Sequence, residues 1–301
     1  MDGLESALRG GLDPEVDAER LFSPTPHGEF LLMPAVAEAT MGIKVLTVSP
    51  GNPERGLEKI QGSYLLFDAE TSAPLAVLDG LELTAVRTPA VTLTALRSLA
   101  AAAPEGDALP AAPEVLVFGA GIQALNHLLA LAWCWPGARF GVVGRRAERV
   151  AALIAGAAQA GVGVSDRGTD VERAVRGAHV IVTLTTATTP LFDGGWVRPG
   201  AIVAAVGQHG LHAREVDHAL VLRSDVLVEG RGSALREAGD LIPARSAEEW
   251  VRLAPPNLAD AALDRLRRRP GAPALYCGVG MSWEDLVLAS LVHGSAGTAA
   301  A

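Results

Sequence analysis

The stretch that most constrains this chain is residues 114–146, EVLVFGAGIQALNHLLALAWCWPGARFGVVGRR. It opens with a short apolar run at 115–118. The turn Gly119-Ala120-Gly121-Ile122-Gln123-Ala124 follows, then a helical apolar pattern to about Trp135 and a second apolar run at 140–143. Strand, glycine turn, helix, strand is the opening of a dinucleotide-binding unit. Gly119 permits the tight turn, Gly121 lets the backbone approach a pyrophosphate, and Ala124 is small enough for helix and strand to pack closely. The N–H groups at the helix start, around Ile122 and Gln123, then face an anion. A helix start that needs small residues only for packing is the plainer alternative; the strands on both sides favour the nucleotide.

The end of the second strand bears on which nucleotide. An NAD site usually carries Asp or Glu about 20 residues past the glycines, on the ribose hydroxyls. Here the chain reads Gly144-Arg145-Arg146, and the first nearby acid, Glu148, already belongs to the next helical pattern. Two guanidiniums suit a 2′-phosphate, so NADP(H) is favoured over NAD(H). A solvated basic helix start is the other reading of Arg145 and Arg146.

With 301 residues, 49% of them hydrophobic, the chain can bury the cores of two domains. A net charge of −9 argues against a nucleic-acid partner. Cys134 and Cys277 lie in apolar contexts and are expected as free thiols in a reducing compartment. The acidic start MDGLESALRGG has no apolar signal core, and no run approaches membrane-spanning length, so a cytoplasmic protein without membrane contact is expected.

In chain order, residues 1–22 read as a short amphipathic helix and a link. Runs at 30–34, 43–48, 62–68 and 75–78 read as a small, mostly antiparallel sheet, because their connections are short. Residues 81–103 are helical by composition, with Thr88 and Pro89 offering a cap and first position for a helix start. Thr84 and Arg87 share a face on a helical turn. The linker 104–113, PEGDALPAAP, marks a boundary. Beyond it strands and helices alternate as in a doubly wound parallel sheet, whose ligands sit past the carboxyl ends of the strands. That places Thr183 and Thr185, and Val206 and Gly207, at the cofactor. Residues 220–222 read as strand, 258–269 as helix, and 282–292 as a final helix with Ser282 and Asp285 as a capping pair and a frayed tail from Gly294.

Met33-Pro34, Lys44, Pro50-Gly51-Asn52, LLFDAETSAPLAVLDG, LTAVRTPA, GAGIQA, GRRAERV, Thr189-Pro190, Val206-Gly207, Arg214-Glu215-Val216-Asp217 and Gly278-Val279-Gly280 occur in this order. Over about residues 20–292 the chain resembles the ornithine cyclodeaminase/mu-crystallin family. The resemblance implies an α/β fold: a Rossmann-like doubly wound parallel sheet at 111–280, plus a smaller N-terminal α+β substrate and dimerisation domain at 1–110, completed by the C-terminal helix of 281–301. It implies a homodimer that exchanges hydride between a nicotinamide and the α-carbon of a small imino, keto or amino acid. Arg87 then matches the arginine that grips the substrate carboxylate, with Lys44 and Thr84 beside it, Arg20 as a further carboxylate-binding arginine and Gly280 near the cofactor. The residue chemistry agrees, since a guanidinium suits a carboxylate and a nearby lysine adds a proton donor.

One departure matters. The aspartate that ornithine cyclodeaminase uses falls on Gln208, which cannot act as a base. Reduction of a preformed imine needs less, and His209, Lys44 or water could supply its proton. The expectation is therefore an NAD(P)H-dependent α-imino acid reductase. A cyclodeaminase-type lyase with bound NAD⁺ and a non-catalytic NADPH-binding protein are the alternatives. His209, His212 and Glu215 are spaced for a metal, but no further ligand cluster accompanies them, and no metal is expected.

Overall fold

A computed structural model describes residues 1–207 and 210–299. The chain forms two compact units, Met1–Val91 together with the chain from Gly280 onward, and Thr92–Val279.

The first unit begins with α1 (Asp2–Arg9), which buries Leu4 and Leu8. Five strands follow: β1 (Leu21–Thr25), β2 (Gly28–Val36), β3 (Thr40–Val48), β4 (Ile60–Asp68) and β5 (Pro74–Asp79). They pair in sequence order and every pairing is antiparallel. Alternation sets the two faces of the sheet. Leu31, Met33, Leu46, Tyr64 and Leu66 are buried on one face, and Lys44 lies in the same row, opposite Met33 on β2 and Tyr64 on β4. The other face leaves Phe30, Val36 and Val77 exposed.

Asp79 starts α2 (Gly80–Ala101) by accepting the N–H groups of Leu81 and Glu82 at 2.8 and 3.0 Å. The sequence offered Thr88 and Pro89 as a helix start; instead Pro89 stands inside one continuous helix. The strong cap at Asp79 outweighs the one backbone bond that Pro89 cannot make. The Thr84 hydroxyl donates to the Gly80 carbonyl and the Thr88 hydroxyl to the Thr84 carbonyl.

The second unit holds β6 (Glu114–Phe118), α3 (Ile122–Cys134), β7 (Arg139–Val143), α4 (Ala147–Gln159), β8 (Val164–Asp166), α5 (Val171–Gly177), β9 (Val180–Thr183) and β10 (Ile202–Ala205). These are followed by α6 (His218–Arg223), β11 (Asp225–Val228), α7 (Arg231–Glu237), α8 (Ala247–Leu253), α9 (Leu258–Ala262) and β12 (Ala274–Cys277). Its seven strands run parallel in the order β11-β12-β10-β9-β6-β7-β8. The chain leaves β6 toward β7 on one side and returns to β9 on the other. The order therefore reverses at β6 and β9, where such sheets take their ligands.

Two expectations fail here. Residues 220–222 lie in α6, because the Asp217 carboxylate caps Leu220 N–H and starts a helix on a run apolar enough for either state. The helix expected over 258–269 ends at Ala262, and Asp264 adopts a left-handed φ of 58°. Beyond it Arg268 donates to the Leu99 and Gly200 carbonyls, and Arg269 pairs with Asp225.

The last helix, α10 (Ser282–Ala299), belongs to the first unit and packs on α1 and on β2–β5. It continues past Gly294, where fraying was expected. Ser282 and Asp285 do not form its cap. Asp17 reaches in and accepts Ser282 and Trp283 N–H at 2.8 and 3.1 Å, while Asp285 turns to Lys44. Asp17→Ala should cost about 1 kcal/mol and lower the melting temperature by about 2–4 °C, with Asp17→Asn losing less. Thermal unfolding followed by circular dichroism checks this, and an unchanged midpoint in Asp17→Ala would contradict the capping role.

Candidate active site

In the first unit the sheet and α10 enclose a set of charges. Lys44 is 1% exposed and Arg87 8% exposed. Lys44 Nζ donates to Asp285 Oδ2 at 2.7 Å, and Arg87 Nη1 donates to Glu284 Oε2 at 2.7 Å. Arg87 Nε lies 3.4 Å from Asp285 Oδ1. Arg20 donates through Nη2 to the Gly280 carbonyl. Burial pulls the Lys44 pKa down to about 8, against the opposing pull of Asp285; the Arg87 and Arg20 charges push in the same direction as burial. Burial also raises the Tyr64 phenol well above its ordinary value, so it stays neutral.

Gly280 holds this set open. Its φ is +75°, and a Cβ there would stand 2.8 and 2.9 Å from the Arg87 guanidinium nitrogens. Only glycine meets both demands. Thr84 lies one turn before Arg87 on α2, with its hydroxyl bonded to the helix backbone. The structure therefore brings Arg20, Lys44, Arg87 and Gly280 together. Gly280, which the resemblance set beside the cofactor, stands in the first unit against Arg87.

The second unit carries a cavity of about 660 Å³ at the carboxyl ends of β6, β7 and β9. Gly119, Gly121, Arg145, Arg146 and Thr185 line it, and Arg149 adds a third guanidinium. Gly119 has φ +124°, and a Cβ on it would meet the Leu184 carbonyl at 2.6 Å. Nothing within 4 Å would meet a Cβ on Gly121, so its backbone faces open space. A turn of this shape fits a pyrophosphate; Ile122 and Gln123, in the first turn of α3, follow it without lining the cavity. Gly144 keeps the end of β7 close to α4, since a Cβ there would strike Val150 at 2.6 Å. The residues present thus fit a dinucleotide.

Behind the cavity lies a residue whose part the sequence did not disclose. Glu215 is fully buried, and its carboxylate accepts Thr183 Oγ1 at 2.7 Å, Thr185 N at 2.6 Å, Thr185 Oγ1 at 2.7 Å and Gly207 N at 2.9 Å. It ties the end of β9 to the end of β10. A Cβ on Gly207 would stand 2.2 Å from Thr185 N, so the two strand ends pass in near contact. The Thr183 hydroxyl is buried and committed to Glu215, whereas Thr185 also lines the cavity. Val206 and Gly207 donate their N–H groups to the Thr183 carbonyl. His209, one candidate proton donor, and Gln208 lie outside the described residues.

Glu284 and Asp285 were also missed. The available signal was two adjacent acids inside an apolar helix whose neighbours are buried. For Glu215 it was an acid three residues beyond His212, ahead of the capping Asp217; nothing in the local sequence says where its side chain goes.

The sequence profile of the ornithine cyclodeaminase/mu-crystallin family matches residues 1–299. Delta(1)-pyrroline-2-carboxylate reductase 2 of Burkholderia ambifaria is 37% identical over 273 residues, covering 90% of this chain and 82% of that protein. Ketimine reductase mu-crystallin of Rattus norvegicus is 33% identical over 279 residues, covering 89% and 81%. Among solved structures, the Thermococcus litoralis Delta(1)-pyrroline-2-carboxylate reductase in complex with NADH and L-proline superposes with a TM-score of 0.80. It is 25% identical and covers 98% of this chain and 91% of that one.

Asp240 supports Glu215 by accepting the Glu215 and Val216 N–H groups at 2.7 and 3.0 Å. Burial raises its pKa to about 7, against those two bonds. A raised carboxyl binds its proton more tightly folded than unfolded. Stability is therefore lost as pH rises from the unfolded value of about 4 toward the folded value, and the penalty is constant above it. Asp240→Asn keeps an acceptor oxygen and removes the charge, so it should flatten the fall in melting temperature between pH 5 and 7.5. An identical pH slope in the variant would rule Asp240 out as its source.

Proposed function

Because the chain belongs to the ornithine cyclodeaminase/mu-crystallin family, we propose that it is an NAD(P)H-dependent reductase of a small α-imino acid. The observation that carries this reading is the pair of buried cations, Lys44 on the otherwise apolar sheet face and Arg87 on α2, in a chain with a glycine cradle for a dinucleotide. Taking charge into an apolar face costs desolvation that even a paired ion recovers only in part, so Lys44 and Arg87 stand there at a cost to stability. A guanidinium has five donors, more than one carboxylate takes, so Arg87 can serve Glu284 and a substrate carboxylate together.

A reduced nicotinamide held at the Gly119–Gly121 turn would supply the hydride, and with it both electrons, that the α-carbon of the C=N bond takes up. Arg87, with Arg20 beside it, grips the substrate carboxylate, and Thr84 lies on the same helix face. Lys44 Nζ gives its proton to the imine nitrogen as the C=N π pair closes onto that atom. The neutral amine left on Lys44 takes up a proton from water. With a pKa near 8, Lys44 is a stronger acid than an exposed lysine and remains charged at neutral pH.

NADP(H) is favoured over NAD(H) because Arg145, Arg146 and Arg149 line the cavity and the end of β7 offers no acid to ribose hydroxyls. Consumption of NADPH and NADH with pyrroline-2-carboxylate and piperideine-2-carboxylate tests both points. Turnover is expected, with kcat/KM falling about 100-fold or more in Lys44→Ala and Arg87→Ala. Replacing Arg145 and Arg146 together with alanine should raise KM for NADPH about tenfold or more and leave NADH nearly unchanged. Release of ammonia and proline from ornithine, without imine reduction, would sink the reading.

We further propose a homodimer built on the outer face of the five-stranded sheet. Phe30, Val36 and Val77 are 40%, 80% and 72% exposed there, an apolar patch that a lone chain would leave in water. Sedimentation should give twice the chain mass, reduced to a single chain by Val77→Asp. A single-chain mass for the unaltered protein would exclude it.

A further inference from the structure

The chain has two lysines, Lys44 and Lys59. Lys59 is exposed, while Lys44 is among the most deeply buried side chains in the molecule. An ammonium in that position depends on what faces it. From β4 comes Tyr64, directly opposite in register, whose phenol stays neutral and whose hydroxyl has no hydrogen-bond partner among the described residues. From β2 comes Met33, which is apolar. The charges of Arg87 on α2 and Arg20 ahead of β1 both act against the Lys44 charge. Asp17 faces the N-terminus of α10 and is occupied there by two N–H groups. Glu284 is taken by Arg87. Asp285 is fully buried and stands 2.7 Å from Lys44 Nζ.

We propose that Asp285 is a positioning residue for imine reduction: it holds Lys44 as an ammonium ion in a dry site and aims one of its N–H groups, leaving the others for the substrate. This rests on the reductase reading above. A buried lysine beside two guanidiniums and without an anion would lose its proton below neutral pH and have none to give. With Asp285 in place the proton is retained at neutral pH, yet burial keeps it acidic enough to transfer. Arg87 Nε stands 3.4 Å from the other Asp285 oxygen, an ion-pair distance, so the proton donor and the carboxylate grip face one shared anion. Asp285 makes no proposed contact with substrate; it acts through Lys44.

The test uses the full chain with lysine labelled by ¹³C at Cε, whose shift follows deprotonation of the ammonium. Lys59→Arg identifies the Lys44 signal. In the unaltered protein the Lys44 midpoint is expected near 8. In Asp285→Asn it should fall by about one to three pH units, and Asp285→Glu should restore most of that loss. The pH profile of kcat with pyrroline-2-carboxylate should move with it. At pH 8 the Asn variant then loses about fivefold or more, and much of the loss returns at pH 6. A merely structural role would lower kcat evenly across pH and leave the midpoint where it was. Should the Asn variant fail to fold, Asp285→Ser provides the same comparison. An unmoved Lys44 midpoint, with imine turnover present, overturns the positioning role and leaves the reductase reading intact. A shifted midpoint with no turnover on any imino acid overturns the reductase reading and, with it, the donor role.

Discussion

The ion pairs of Lys44 with Asp285 and of Arg87 with Glu284 set the terms for the first unit. Such buried pairs contribute little net stability, because desolvation offsets much of the attraction. What they impose is position. Lys44 sits in a row of Leu, Met and Tyr that any ordinary sheet would fill with apolar side chains. The pairs require α10 to lie on β2–β5 with Glu284 and Asp285 facing inward. Asp17 provides for that at the first turn of α10, and Gly280 clears space for the guanidinium. Losing one partner would leave a buried charge uncompensated, which costs far more than the pair contributes.

The second unit is ordered around close backbone approach. Gly119 passes the Leu184 carbonyl and Gly207 passes Thr185, each at a distance no side chain permits. Strand ends brought that near leave polar groups that must find partners. Glu215 takes three of its four bonds from that one place, and Asp240 holds the backbone of Glu215 in turn. The loop 184–191 can therefore line the cavity with threonines and still be fixed from behind. Rigid support of this kind is what a cofactor site needs for its reacting atoms to be placed reproducibly.

Much of this was legible in the chain. The glycine turn at 119–124 lies between two short apolar runs, so both the element order and the cavity followed from local pattern. The antiparallel sheet followed from short connections. The errors came where a distant residue decided the outcome. Asp285 reads locally as a capping partner for Ser282, but the Asp17 carboxylate, far away in sequence, already serves the helix start. Pro89 reads as a helix beginning, but the Asp79 cap lies ten residues upstream. Residues 220–222 are apolar enough for strand or helix, and Asp217 tips them to helix. Glu215 carried no local sign of where its side chain goes, because its partners sit at the ends of two different strands.

The proposed chemistry turns on one event, the transfer of hydride to the α-carbon of an imino acid. NADPH carrying deuterium at both C4 positions of the nicotinamide measures it directly. Incubated with pyrroline-2-carboxylate and this protein, it should yield proline with a single deuteron at the α-carbon, seen by mass spectrometry and NMR. Proline without deuterium there, or no proline while the cofactor remains bound, would contradict the account.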